Sequence, residues 1–169
     1  MLSTVVGGVS RALTTSVAYA VSGLDVVSVD SYEPWRIEQG VPTMGAELVT
    51  GETIPDEAGQ WVIDASVSFT KGCFTGQELV ARIDSRGGNV PRQIRGLVIE
   101  GDRAKPPAVS ADVVVDGKAV GMLTSVAWSP GFGAHVALAS IVRAVTPPAA
   151  VTVDGAASIA RIEPLPLTP

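Results

Sequence analysis

From about residue 93 to the end, the chain is a succession of short β-prone runs separated by turn residues, and this rhythm limits its fold more than any other feature. The runs lie at 95–100, 113–115, 118–124, 134–139, 151–153 and 158–162. Pro106-Pro107 interrupts between the first two, and Asp116-Gly117 and Asp154-Gly155 are the dipeptides that close tight two-residue hairpins. Such short strands cannot each find a separate partner sheet. Six of them within about seventy residues predict a small antiparallel β-barrel, which leaves no open edge.

The region before the barrel reads differently. Residues 10–22, ended by Gly23, have Val17, Ala20 and Val21 spaced for one helical face, and residues 23–29 read as a short strand. Asp30 or Ser31 is then expected to cap a helix through Trp35 to Gln39, closed at Gly40. Ala18-Tyr19-Ala20 imitates a signal-peptidase site. No cation precedes the apolar stretch, however, and Arg11, Thr14, Thr15 and Ser16 interrupt it, so a signal peptide is not expected. No run is apolar enough for a membrane span. In the 35–39 helix Arg36 and Glu38 are two apart and point different ways, so one of them is expected to face inward.

Chemistry concentrates in Lys71-Gly72-Cys73-Phe74-Thr75-Gly76-Gln77-Glu78. The run continues Leu79-Val80-Ala81-Arg82-Ile83, whose apolar positions 79, 80 and 83 fit one face of a short helix. Cys73 is therefore expected in the loop before a helix N-terminus. Free N–H groups, the positive end of the helix dipole and Lys71 all favour a thiolate there. The competing assignment is packing, since free cysteines are often buried, and Phe69 and Phe74 would suit such a pocket. Flanking glycines, which permit positive φ or close backbone approach, and a lysine beside the thiol favour chemistry.

One cysteine excludes an intramolecular disulfide and fits a reducing cytoplasm. It also cannot hold an iron–sulfur cluster alone, and the lone His135 offers one imidazole, so no metal site is expected. A net charge of −5 argues against strong nucleic-acid binding. The charge is nonetheless segregated: residues 25–64 hold nine carboxylates and one cation, while seven of the twelve cations fall within 71–105. Arg82 and Arg86, spaced i and i+4, form a candidate anion site. A P-loop, a nucleophile elbow and a dinucleotide fingerprint are all missing from the sequence.

KGCFTGQE closely resembles the K-G-C-(aromatic)-x-G-Q-E signature of the YgfZ-type folate-binding proteins, relatives of the glycine-cleavage T-protein, an aminomethyltransferase. Trp35-Arg36-Ile37-Glu38-Gln39-Gly40-Val41-Pro42, with Gly45 and Thr53-Ile54-Pro55-Asp56-Glu57, is similar to the string that precedes the cysteine in that family. Gly121-Met122-Leu123-Thr124-Ser125, Ser129-Pro130 and Ala137-Leu138-Ala139 resemble the pattern of its C-terminal barrel. The resemblance covers about residues 20–165.

It implies an α+β chain: residues 1–92 as part of a folate-binding T-protein-like domain, and residues 93–169 as a separate six-stranded antiparallel barrel. Family members carry a further N-terminal region that supplies much of the folate site, so this chain is expected to be a fragment. The implied function is a tetrahydrofolate-binding accessory protein that supports assembly or repair of iron–sulfur clusters in enzymes, including radical enzymes that modify tRNA. Cys73 would do the thiol chemistry, tuned by Lys71. Glu38 would meet the pterin end of folate, and Arg36, Gly72, Gly76, Gln77, Glu78, Arg82 and Arg86 would complete the binding region. The alternatives are folate-dependent one-carbon transfer, as in the T-protein, and a binding fragment without catalysis. The implied partners are folate and iron–sulfur enzymes or cluster-assembly proteins, with no membrane.

Overall fold

The computed structural model describes residues 3–6, 9–12, 27–153 and 158–169. Its contacts group the chain into residues 1–32 and 33–169. In the first group, β1 (Ser3–Val6) and β2 (Val9–Ala12) pair antiparallel, with Ser3 opposite Ala12 and Val6 opposite Val9. The helix expected from residue 10 is corrected there, because residues 10–12 are strand; β-branched Thr4, Val5, Val6 and Val9 favour extended pairing. The rest of that helix, and the expected strand up to residue 26, lie outside the described residues.

Helix α1 (Val29–Glu38) begins earlier than its sequence signals indicate. Ser28 is the cap: its Oγ accepts the N–H of Ser31 at 3.2 Å, and its carbonyl accepts those of Ser31 and Tyr32 at 3.1 Å. Asp30 falls in the first turn, where its carboxylate faces the positive end of the dipole. The helix closes at Gly40 as expected. With φ +68°, Gly40 donates to the Ile37 carbonyl and Val41 to that of Arg36, the paired bonds of a Schellman ending.

A 3₁₀ turn (Pro55–Ala58), α2 (Gln60–Ser66) and α3 (Gln77–Asp84) follow. Val80 and Ile83 of α3 are buried, but Leu79 is 46% exposed, so the expected three-residue apolar face is reduced to two. An eight-residue helix with one packed edge leaves position 79 on its flank.

The six-stranded barrel is present and closed. β3 (Arg92–Ile99), β4 (Asp112–Val115), β5 (Lys118–Ser129), β6 (Ala134–Val142), β7 (Ala149–Val153) and β8 (Ser158–Glu163) are ordered β3-β6-β5-β4-β7-β8, and β8 pairs with β3 to complete the ring. Every pairing is antiparallel. The Asp116-Gly117 turn has positive φ at both residues, 49° and 76°, the geometry that matches strand twist in a two-residue hairpin. The expected turn at 154–155 lies outside the described residues, although Val153 and Ser158 pair on either side of it.

Alternation along the strands divides the apolar residues between two cores. Leu97, Ile99, Val113, Leu123, Ala137, Ala139, Ile141 and Ile162 fill the barrel. Ile94, Val98, Val136, Leu138 and Leu167 form an outer cluster with Ile37 of α1. β6 supplies both, which explains its unbroken burial from Ala134 to Ala139.

Candidate functional site

Two polar constellations lie on this frame. The first joins α1 to the barrel. Arg36, 3% exposed, makes five hydrogen bonds: Nε to Glu33 Oε2 (3.1 Å), Nη1 to the Val41 carbonyl (2.8 Å) and to Glu47 Oε2 (3.1 Å), and Nη2 to Ser125 Oγ (2.8 Å) and to Glu33 Oε1. A guanidinium has five N–H groups, so none is left for a ligand. Burial alone would lower the Arg36 pKa; the hydrogen bonds and charges of Glu33 and Glu47 outweigh it and hold the pKa above its usual value.

Glu47, 2% exposed, is the counterpart and has no sequence signature. Besides Arg36 it accepts hydrogen bonds from the Thr43 N–H (2.9 Å), Thr124 Oγ1 (2.8 Å) and Ser125 Oγ (2.5 Å). A bulge in β5 between Leu123 and Ser125 makes this possible. In an unbroken strand two consecutive side chains point to opposite faces; the extra residue resets the alternation, and both hydroxyls reach one carboxylate oxygen.

Glu38 is half-buried beside this hub. Its Oε1 accepts the Ser129 hydroxyl at 2.5 Å, and its backbone carbonyl accepts the Leu167 N–H at 2.7 Å. The expectation that Arg36 or Glu38 faces inward is met by Arg36. Its expected contact with a cofactor is corrected, because every donor is committed to protein.

The second constellation is the cysteine loop. Cys73 is exposed, which removes the packing assignment, and Phe69 is 53% exposed. The Lys71 Nζ lies 5.4 Å from the centre of the Phe74 ring, a cation–π distance that keeps the ammonium beside the loop. Gly76 caps α3 at φ +86°, ψ 0°, and its carbonyl accepts the N–H groups of Leu79 and Val80. Gln77 reaches back, with its Oε1 3.2 Å from the Phe74 N–H. Gly72, by contrast, has an ordinary φ and open space around it, so the expected backbone requirement there is corrected.

Glu78 and Arg82 pair at 2.6 Å on the exposed side of α3. Arg86 lies beyond the end of the helix at Asp84, so Arg82 and Arg86 are not the i, i+4 neighbours on one helix that their spacing predicts. An open depression of about 560 Å³ is lined by Phe74, Gly76, Gln77, Glu78, Leu79 and Arg82. His135 is 2% exposed, with Nε2 3.1 Å from the Asp102 carbonyl and its ring edge-on to Trp128, a packed residue. Among the described residues no group of three or more histidine, cysteine or acidic side chains is placed to hold a metal, and no helix is long and apolar enough to cross a membrane.

The chain thus joins a closed antiparallel barrel carrying an outer helix to an exposed cysteine in the loop before a short helix, and the barrel is of the T-protein class. Residues 92–166 match the family of the glycine cleavage T-protein C-terminal barrel domain. The chain is 36% identical over 141 residues to an aminomethyltransferase of Streptomyces avermitilis, covering 81% of this chain and 36% of that protein. It is 40% identical over 78 residues to the tRNA-modifying protein YgfZ of Serratia proteamaculans, covering 46% of this chain and 22% of that one. It is 41% identical over 59 residues to the mouse mitochondrial iron–sulfur cluster assembly factor IBA57, covering 35% and 16%. The crystal structure of aminomethyltransferase T from Bartonella henselae shares the fold, with a TM-score of 0.60 at 19% identity over 80% of this chain and 37% of that one. The chain carries a barrel of the glycine cleavage T-protein C-terminal type and is similar both to aminomethyltransferases and to YgfZ-type proteins. It spans about a third or less of the length of these curated relatives.

Proposed function

We propose that the chain serves as part of a tetrahydrofolate-binding accessory protein for iron–sulfur cluster assembly or repair, with Cys73 as the working thiol. The observation that carries this reading is the exposure of Cys73 on a loop held by Gly76 and Gln77, where Lys71 lies over the ring of the next residue, Phe74. Relatives named for cluster assembly and for tRNA modification support it.

An exposed thiol can do two things without an added oxidant. As a transient ligand it gives up its proton and binds cluster iron. As a sulfur acceptor its thiolate attacks the outer sulfur of a donor persulfide; a new S–S bond forms, the old one breaks, and the donor leaves as thiolate.

Folate fits the residues of this chain in part. Glu38 is half-buried, and only its Oε1 is engaged, by Ser129, so the second oxygen can accept a ring N–H. Arg36 does not fit. Glu78 and Arg82 neutralise each other on the wall of the depression and would have to part to receive a carboxylate. Folate would supply the one-carbon or ring chemistry when bound; this chain would orient it through Glu38.

The test is complementation of a strain lacking the YgfZ-type protein, by this chain and by a version extended upstream, with iron–sulfur enzyme activity as the readout. Cys73→Ser is expected to abolish rescue with an unchanged melting temperature. Full rescue by the variant would sink the thiol role. The aminomethyltransferase relative, which covers most of this chain, favours a second reading as a one-carbon transferase. Methylene-tetrahydrofolate formation from an aminomethyl-lipoyl carrier, retained in Cys73→Ser, would establish that reading instead.

A further inference from the structure

Away from the cysteine loop, two arginines lie on the interior-facing side of neighbouring barrel strands, and neither is paired with a carboxylate among the described residues. Arg95 is on the same side of β3 as Leu97 and Ile99, which face the barrel interior, and it is half-buried. Arg143 follows β6 on the side marked by Ala139 and Ile141, and its own N–H bonds to the Pro91 carbonyl just ahead of β3. β3 and β6 are neighbours in the sheet, with Arg95 opposite Ala139 and Arg143 four residues further on, just after β6, so both side chains lie on the same face of adjoining strands.

Their partners are all neutral. Arg95 Nη2 donates to Gln93 Oε1, and its Nε is buried with no acceptor. Arg143 Nη1 donates to the Gly88 carbonyl at 3.4 Å and to Asn89 Oδ1. Neither arginine belongs to an ion pair among the described residues. Burial and then the like charge of Arg143 lower the Arg95 pKa. Arginine does not escape such a position by losing its proton, so a buried, unused Nε–H beside a second cation is an arrangement that an incoming anion relieves.

We propose that Arg95 and Arg143 form an anion site on this face of the barrel, taking a compact phosphate-class oxyanion, free or as a monoester. A tetrahedral dianion can accept from both guanidiniums at once, which one planar carboxylate does less well. The site uses no residue of the cysteine loop and stands or falls independently of the thiol reading.

The test is titration of inorganic phosphate into the whole chain at low ionic strength, following the arginine Nε–H resonances by ¹⁵N–¹H NMR. A saturable shift of the Arg95 Nε–H is expected. Arg143→Gln, at an exposed position that does not threaten the fold, is expected to weaken binding by about tenfold or more, as loss of a charge-assisted contact does. Arg103→Gln, whose guanidinium lies 5.8 Å from the Trp128 ring, is expected to leave it unchanged. Phenyl phosphate in parallel separates a monoester from the free ion: tighter binding of the ester points to a phosphorylated molecule, equal binding to phosphate itself, and either outcome supports the site. A linear, unsaturated response, equal loss in Arg103→Gln, or acetate binding as tightly as phosphate would overturn the proposal.

Discussion

At the scale of single residues, the decisive acid is one that the sequence leaves unmarked. Glu47 sits in an unremarkable Gly-Ala-Glu-Leu stretch, and only the folded chain brings Arg36, Thr124 and Ser125 to it from 11, 77 and 78 positions away. Removing one partner of a buried pair leaves the other charged and unsolvated, so Glu47→Ala is expected to cost about 3–5 kcal/mol in urea unfolding. Glu38→Ala, which loses one hydroxyl contact at a half-buried site, should cost far less. Among the described residues Asp56 is the other buried acid. Its Oδ2 has no hydrogen-bond partner; burial first, and the charge of Asp84 as a smaller cause, raise its pKa above the ordinary 3.8. A carboxyl that binds its proton more tightly in the folded state favours folding while protonated. That contribution is present below pH about 4 and is lost as the pH rises through the folded-state value. Asp56→Asn cannot titrate. The stability difference, variant minus wild type, should therefore grow as the pH rises above 4 and level off beyond the folded pKa; a difference that stays constant over that range would contradict the assignment. Arg36 and Glu38 are read correctly as pointing different ways, because helical spacing fixes that, but spacing carries no information about what fills the inward side.

At the scale of elements, the barrel strands were legible because turn residues and β-branched runs are local signals, and the errors fall where a tertiary contact overrides one. β5 is expected to stop at 124 and runs to Ser129. The bulge at Thr124 spoils its alternation, so the pattern ends while the hydrogen-bonded ladder to β6 continues. Capping of α1 is misplaced for a similar reason, since Ser28, Asp30 and Ser31 are all good caps and only the path of the chain selects among them. Cys73 in a loop ahead of α3 is read correctly; that Arg86 leaves the helix is not, because Gly87 and Gly88, both at positive φ, end it early. Gly121 shows how tightly β5 and β6 are pressed together. A Cβ there would lie 2.2 Å from the Ser140 carbonyl oxygen and 2.6 Å from Ile141 Cδ1, closer than atoms can approach. Backbone cannot swing aside like a side-chain tip, so Gly121→Ala is expected to cost about 2–3 kcal/mol and to raise hydrogen exchange at 121–123 and 139–141.

At the scale of the whole molecule, residues 33–169 are organised around strands that serve two cores at once. β3 and β6 turn alternate residues into the barrel and out toward α1, so the outer cluster is built on the barrel wall. The C-terminal segment completes that outer cluster: Leu167 is 4% exposed, Leu165 packs beside it, and the Leu167 N–H ties to the Glu38 carbonyl at the end of α1. The side chains of Leu165 and Leu167 lie where a Cβ on Gly96 would be, at 2.7 Å, so this segment lies flat on β3 because that residue is glycine. Leu167→Ala deletes buried methyl groups and leaves a void that the rigid strand below cannot fill, for an expected loss of about 2–4 kcal/mol. The loss should not be uniform. Barrel amides such as Leu97 and Ala139 are held by a ladder on both sides and by an interior core that the change does not touch. The amides of Gln39, Gly40 and Val41 depend on α1 staying docked. Native-state hydrogen exchange should therefore show protection lost at 39–41 while 97 and 139 keep theirs relative to global unfolding. Equal loss at both would mean that barrel and outer helix unfold as one cooperative unit, and that Glu38 is held in place by the whole domain rather than by the segment that crosses it.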